Sequence, residues 1–142
     1  MSEVKQVICI RKDLHVRRGK SEAQAAHASM KVLLDMMDFR YDFSGKVDDV
    51  SADRLNYTLT LSPDSPIFEW LEGTFTKVCL SVDSEGELEN LYQQAKEANL
   101  PCSLIIDLGK TEFGGVPTKT CIAIGPWYSE EINKITGHLK LR

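Results

Sequence analysis

The chain has 142 residues and a formal net charge of −4, a length that suits one domain burying about two thirds of the surface its unfolded form exposes. Hydrophobic residues at 42% and charged residues at 27% are in the balance of a globular protein and exclude disorder as the main state. No apolar run approaches the roughly 20 residues of a membrane-spanning helix, and Arg11 and Lys12 arrive before a signal-like apolar core forms, so a cytoplasmic location is expected.

In chain order, Lys5 to Arg11 is a β-branched run that ends in charge, the pattern of a buried central strand. Asp13 to Lys20 is polar and basic, with Gly19 just before a helix expected over about Lys20 to Met37, where alanine-rich sequence lacks Gly and Pro. Ala25, Ala28, Val32 and Met36 fall on one stripe of it, small enough to approach a sheet closely. Asp38 to Ser62 is less regular, with Phe39, Tyr41 and Phe43 followed by Asp48, Asp49 and Asp53; Tyr57 to Leu61 alternates like an exposed strand. Ser65 and Pro66 are placed as N-cap and first residue of a short helix ending at Gly73.

Lys77 to Val82 is a second core strand, and Ser84 to Asn99 an amphipathic helix with Ser84 and Glu87 set for a capping box and Leu88, Leu91, Tyr92 and Ala95 on its apolar stripe. Pro101 to Asp107 and Lys119 to Ile124 give two further strands, and Ser129 to Thr136 a last helix. This alternation predicts an α/β fold, a three-layer α/β/α sandwich around a mixed, mainly four-stranded sheet, since the last two strands have no helix between them and can run antiparallel. Cys9, Cys79, Cys102 and Cys121 each belong to a different apolar run, with neither a CxxC pair nor metal-site spacing, and are expected to be reduced strand residues.

The charge is unevenly placed. Residues 1–31 carry seven Lys/Arg against three Asp/Glu, residues 32–99 five against fourteen, and residues 100–142 five against four. The acidity therefore belongs to the middle, and a basic N-terminal third can still hold a polyanion through its local field.

Lys20 opens the first helix beside Arg17 and Arg18, where free backbone N–H groups and the helix dipole favour an anion; the alternative is a solvated basic loop. Gln24 and His27 follow four and seven residues later on the same face. Gln24 can hold a base, ribose or water and His27 can act near neutral pH, or both can bond to nearby backbone. His15 and His138 are isolated and read as non-catalytic. Asp107 ends an apolar strand just before Gly109, a place where α/β sheets gather ligands and where a carboxylate can also cap a turn. No GxSxG, P-loop, GxGxxG or HExxH is present, which leaves open a hydrolase with neither metal nor covalent intermediate.

The segments Gly19 to Ala28 and Leu104 to Thr111, with Gly125-Pro126 and Thr136 to Leu141, resemble the type 2 peptidyl-tRNA hydrolases of archaea and eukaryotes; the resemblance fails between about Asp38 and Asp64, so a single domain over 1–142 with an atypical insertion at about 38–64 is expected. The resemblance implies hydrolysis of the ester joining peptide to tRNA, without a cofactor or metal, by a homodimer. It makes Lys20, Asp107 and Thr111 active-site residues, with water as nucleophile. Gln24, His27, Arg17, Arg18 and Lys110 are then expected on the substrate side, Lys110 standing where the family often has arginine. Alternatives are an aminoacyl-tRNA ester hydrolase, or an adaptor on the same fold that uses the acidic insertion.

Overall fold

A computed structural model describes residues 3–43, 52–110 and 113–142 of the protein. Strand β1 (Val4–Arg11) leads into helix α1 (Arg18–Met36), a hairpin of β2 (Asp38–Phe43) and β3 (Ala52–Thr58), and the short helix α2 (Pro66–Glu72). Then come β4 (Lys77–Val82), α3 (Glu85–Glu97), β5 (Cys102–Asp107), β6 (Thr118–Tyr128) and α4 (Ser129–Thr136).

The main sheet has the order β4-β1-β6-β5. β1 and β4 are parallel, whereas β6 is antiparallel to both β1 and β5, so the sheet is mixed as the helix-free connection implied. Val7, Cys9, Ile122 and Ile124 turn toward Leu88, Leu91, Ala95, Ile132 and Ile135 of α3 and α4. Ile8, Ile10, Cys121 and Ala123 turn the other way, toward Ala28 and Val32 of α1. Successive residues of β1 and β6 thus feed opposite cores, as the period-two pleat requires, and the helices form a layer on each face. A third cluster, Leu33, Ile67 and Trp70, fixes α2 against the end of α1, with Leu59 and Leu61 packed on it.

Ser65 Oγ accepts from Ile67 N at 3.1 Å ahead of Pro66, the expected cap. Ser84 Oγ accepts from Glu87 N at 3.1 Å, but Glu87 Oε2 accepts from Asp83 N at 2.9 Å, so the reciprocal arm of the box reaches one residue further back than expected. Helix α1 begins at Arg18, two residues before the expected start, with Gly19 inside its first turn. Strand β6 runs on to Tyr128 through the cis Gly125-Pro126 bond. The strand expected over Lys119 to Ile124 is thus four residues longer at its end: Gly125 has φ +94° and a Cβ there would meet Lys5 O at 2.6 Å, so the Gly-Pro pair is a feature of the strand.

The segment read as irregular is largely the β2–β3 hairpin, in a sheet of its own. Phe39 stacks on Tyr57 and meets Tyr41 edge-on, with centroids 5.8 and 5.7 Å apart. All four cysteines are free. Burial pushes the Cys9 and Cys121 thiols up to about 12, which makes them inert packing residues.

Candidate active site

The site forms where α1 begins, β5 ends and β6 enters the sheet. Ala28 is fully buried against the sheet, and its carbonyl accepts from Ser103 Oγ of β5 at 2.7 Å. The small side chain brings helix and strand close enough for that bond, and the first turns of α1 then stand over the end of β5. Cys121 Sγ reaches Gln24 O at 3.2 Å, a second tie between helix and sheet.

Asp107 is the centre of the arrangement. Its Oδ2 receives Lys20 Nζ at 2.8 Å and Gln24 Nε2 at 2.6 Å, while Oδ1 accepts from Gly109 N at 2.6 Å. The side chain of Asp107 is 8% exposed and that of Lys20 25%, so the pair is shielded yet open to solvent on the lysine side. The hydrogen bond from Lys20, then that from the Gly109 backbone, hold the Asp107 carboxyl below the usual carboxylate range against the opposing effect of burial. Gly109 is required: its φ is +80°, and a Cβ there would lie 2.4 Å from Val116 O.

The donors have their own support. Asp107 is ionised and can only accept, so the Gln24 amide must turn its NH2 toward it and its oxygen away. That oxygen accepts from Thr120 Oγ1 at 2.8 Å. Gln24 and Thr120 are both 4% exposed, so Thr120 fixes the amide that fixes the carboxylate. Thr120 was not a candidate on sequence. The available signal was a polar residue between Lys119 and Cys121 at an inward-facing position of a core strand.

Lys20, Gln24 and His27 line one cleft of about 270 Å³ with Ile105, Ile106, Asp107, Leu108 and Lys110. His27 and Lys110 are exposed on its rim and bond to no other described side chain. Arg17 and Arg18 are exposed at the tip of α1, Arg18 Nε pairing with Glu22 at 2.8 Å. Thr111 lies outside the described residues. Among the described residues no cluster of His, Cys, Asp or Glu could hold a metal ion. Other hollows are larger and also carry charge, such as that of about 370 Å³ between Glu3 and Gly73; what marks this cleft is the Lys20–Asp107 ion pair with its Gln24 brace.

The peptidyl-tRNA hydrolase PTH2 family model matches residues 4–142. The chain belongs to this family. The peptidyl-tRNA hydrolase of Methanocaldococcus jannaschii is 38% identical over 138 residues, covering 97% of this chain and 99% of the relative. Those of Sulfurisphaera tokodaii and Methanopyrus kandleri are each 38% identical over 137 residues, 96% of this chain and 97% of the relative.

Proposed function

We propose that Asp107, Lys20 and Gln24 divide between them the hydrolysis of the peptide–tRNA ester, the reaction that the family identifies for this chain. The chain is a peptidyl-tRNA hydrolase, and the observation that carries the division of labour is the Lys20–Asp107 pair braced by Gln24. A carboxylate held below its usual range is a weak base. It therefore orients the attacking water through a hydrogen bond and takes up its proton only as the bond to the carbonyl carbon forms. Lys20, the more exposed partner, turns its ammonium to the oxygen that becomes negative in the tetrahedral intermediate. Gln24 keeps the carboxylate in one orientation, and Thr111 is assigned to hydrogen bonding at the reacting centre from the family resemblance.

The tRNA acceptor end lies across Arg17, Arg18 and Lys110, with His27 on the same rim. Support comes from the basic character of the first 31 residues and the exposure of these side chains. A homodimer fits the apolar cleft of about 350 Å³ that Ala25, Met30, Leu33, Trp70 and Phe75 line, where Met30 and Phe75 are 50% and 46% exposed. No described helix is long and apolar enough to cross a membrane, which is compatible with a cytoplasmic place in translation. The single-domain reading gains support from the core clusters that join the four-stranded sheet to all four helices. The insertion reading gains support from the separate β2–β3 sheet, and the exposed Phe39, Tyr41, Leu55 and Tyr57 favour a contact role for it beside hydrolysis.

The decisive assay mixes the purified chain, without added metal, with peptidyl-tRNA and with aminoacyl-tRNA and follows ester loss. Rapid loss from the peptidyl substrate alone is expected, together with its suppression in Asp107→Asn. Full activity in that variant would remove Asp107 from the mechanism.

A further inference from the structure

The two edges of the main sheet are treated differently. At β4 the C-terminal segment adds a short antiparallel bridge, Leu80 to Leu141, with Ser81 N donating to Lys140 O at 2.9 Å and Arg142 N to Cys79 O at 3.0 Å. Covering an edge in this way blocks pairing with another chain. At the opposite edge β5 is last in the order β4-β1-β6-β5, and its outer side pairs with no backbone among the described residues. Protection of β5 is slight: its register against β6 shifts between Ile105 and Ile106 and its last residue is Asp107, but Cys102-Ser103-Leu104-Ile105-Ile106 contains neither a charge nor a proline. Ile106, Leu108 and Val116 extend an apolar margin beside it, 51%, 62% and 60% exposed. The open strand ends in Asp107.

We propose that the free edge of β5 is the binding site for the peptide moiety of the substrate, which docks as an added parallel strand. This rests on the hydrolase reading of Asp107. The direction follows from the chemistry: the peptide is esterified through its C-terminal carbonyl, which must reach Asp107, and β5 itself runs toward Asp107. A peptide lying along the edge with its last residue at the cleft therefore runs parallel to β5. At about 3.3 Å per residue a strand of this length matches roughly six peptide residues. Alternate residues of an edge strand aim their N–H and C=O outward, so recognition is made by main chain and is indifferent to sequence. A hydrolase that must accept peptides of many sequences needs that kind of contact. An aminoacyl group has no peptide bond to place on the edge, so the same strand separates peptidyl from aminoacyl esters.

The test leaves the protein unaltered and varies the substrate. N-acetyl-aminoacyl-tRNA and N-acetyl-peptidyl-tRNAs of two to six residues are compared, together with five-residue substrates N-methylated at one amide at a time. Expected is a kcat/KM that rises with length and levels off by about six residues, and a loss of about 3- to 10-fold per blocked N–H at every second position, with the intervening positions unaffected. Hydrolysis of every substrate at one rate, as when a second copy of the chain occupies the edge, would overturn the proposal while leaving the hydrolase reading intact. A length effect without the alternation would also overturn it, in favour of apolar contact with Ile106 and Leu108. Absence of hydrolysis throughout the series would instead strike the underlying assignment of the reaction.

Discussion

Asp107 accepts three hydrogen bonds, so its replacement tests charge and geometry together. Asp107→Asn keeps the volume but must set its NH2 against a donor: with its oxygen kept toward Lys20 and Gln24, the NH2 faces Gly109 N. Turnover should fall by about 10²- to 10⁴-fold, and stability by about 1–3 kcal/mol from the mismatched donors; single-turnover ester cleavage and urea unfolding separate the two. The depressed carboxyl also gives a pH signature. Its stabilisation is present above the unfolded value near 3.9 and is lost as pH falls through the lower folded value. Lys20→Met removes the first cause of the depression, so unfolding midpoints measured between pH 6 and 2 should lie below those of the parent at neutral pH and converge with them in acid. A constant difference at all pH values would show that the ion pair does not set this carboxyl. Thr120→Val leaves the Gln24 oxygen without its donor; kcat should drop about 10-fold with KM nearly unchanged if Thr120 acts through Gln24 and Asp107, and Thr120→Ser should restore most of it.

The elements were legible where local chemistry decides them. Ser65-Pro66 and Ser84 cap helices as their residue types dictate, and the 3.6-residue stripes of α1 and α3 are the faces that bury. What sequence could not show was pairing at long range: Gln24 meets Asp107 across 83 positions and Thr120 across 96, distances at which periodicity carries no information. The family resemblance, not spacing, joined Lys20 to Asp107. Asp38 to Ser62 looked irregular because its β2–β3 hairpin has no core to impose alternation. That segment has two halves with different roles, since Leu59 and Leu61 pack on the Trp70 cluster. Removing residues 39–57 with a short Gly/Ser joint should keep cooperative unfolding with a midpoint shift of a few degrees at most. Leu59→Ala with Leu61→Ala should cost about 2 kcal/mol or more in total, and a reversed order of the two effects in thermal melts would make the hairpin part of the core.

For the whole molecule, charge is sorted relative to the site. The acidic residues 32–99 include the hairpin, α2 and α3, while Lys110 stands on the cleft and Arg17 and Arg18 are exposed at the nearby tip of α1, Arg18 beside Glu22. Lys20 is held by Asp107 and adds little to phosphate binding until the reaction begins. The Arg18–Glu22 pair is exposed on both sides, the kind of contact worth at most about 1 kcal/mol, so a phosphate can take Glu22's place. About three phosphate contacts give a log–log salt slope of roughly −2 to −3, a loss of one to two orders of magnitude in affinity between about 50 and 200 mM salt. Arg17→Glu with Arg18→Glu should flatten this slope and raise KM while sparing kcat, because the reacting groups at Asp107 are untouched. An unchanged slope in that double variant, with substrate affinity measured over the same salt range, would move the tRNA surface away from the tip of α1. Charge reversal at Lys110 would then test the cleft's own rim as the tRNA surface.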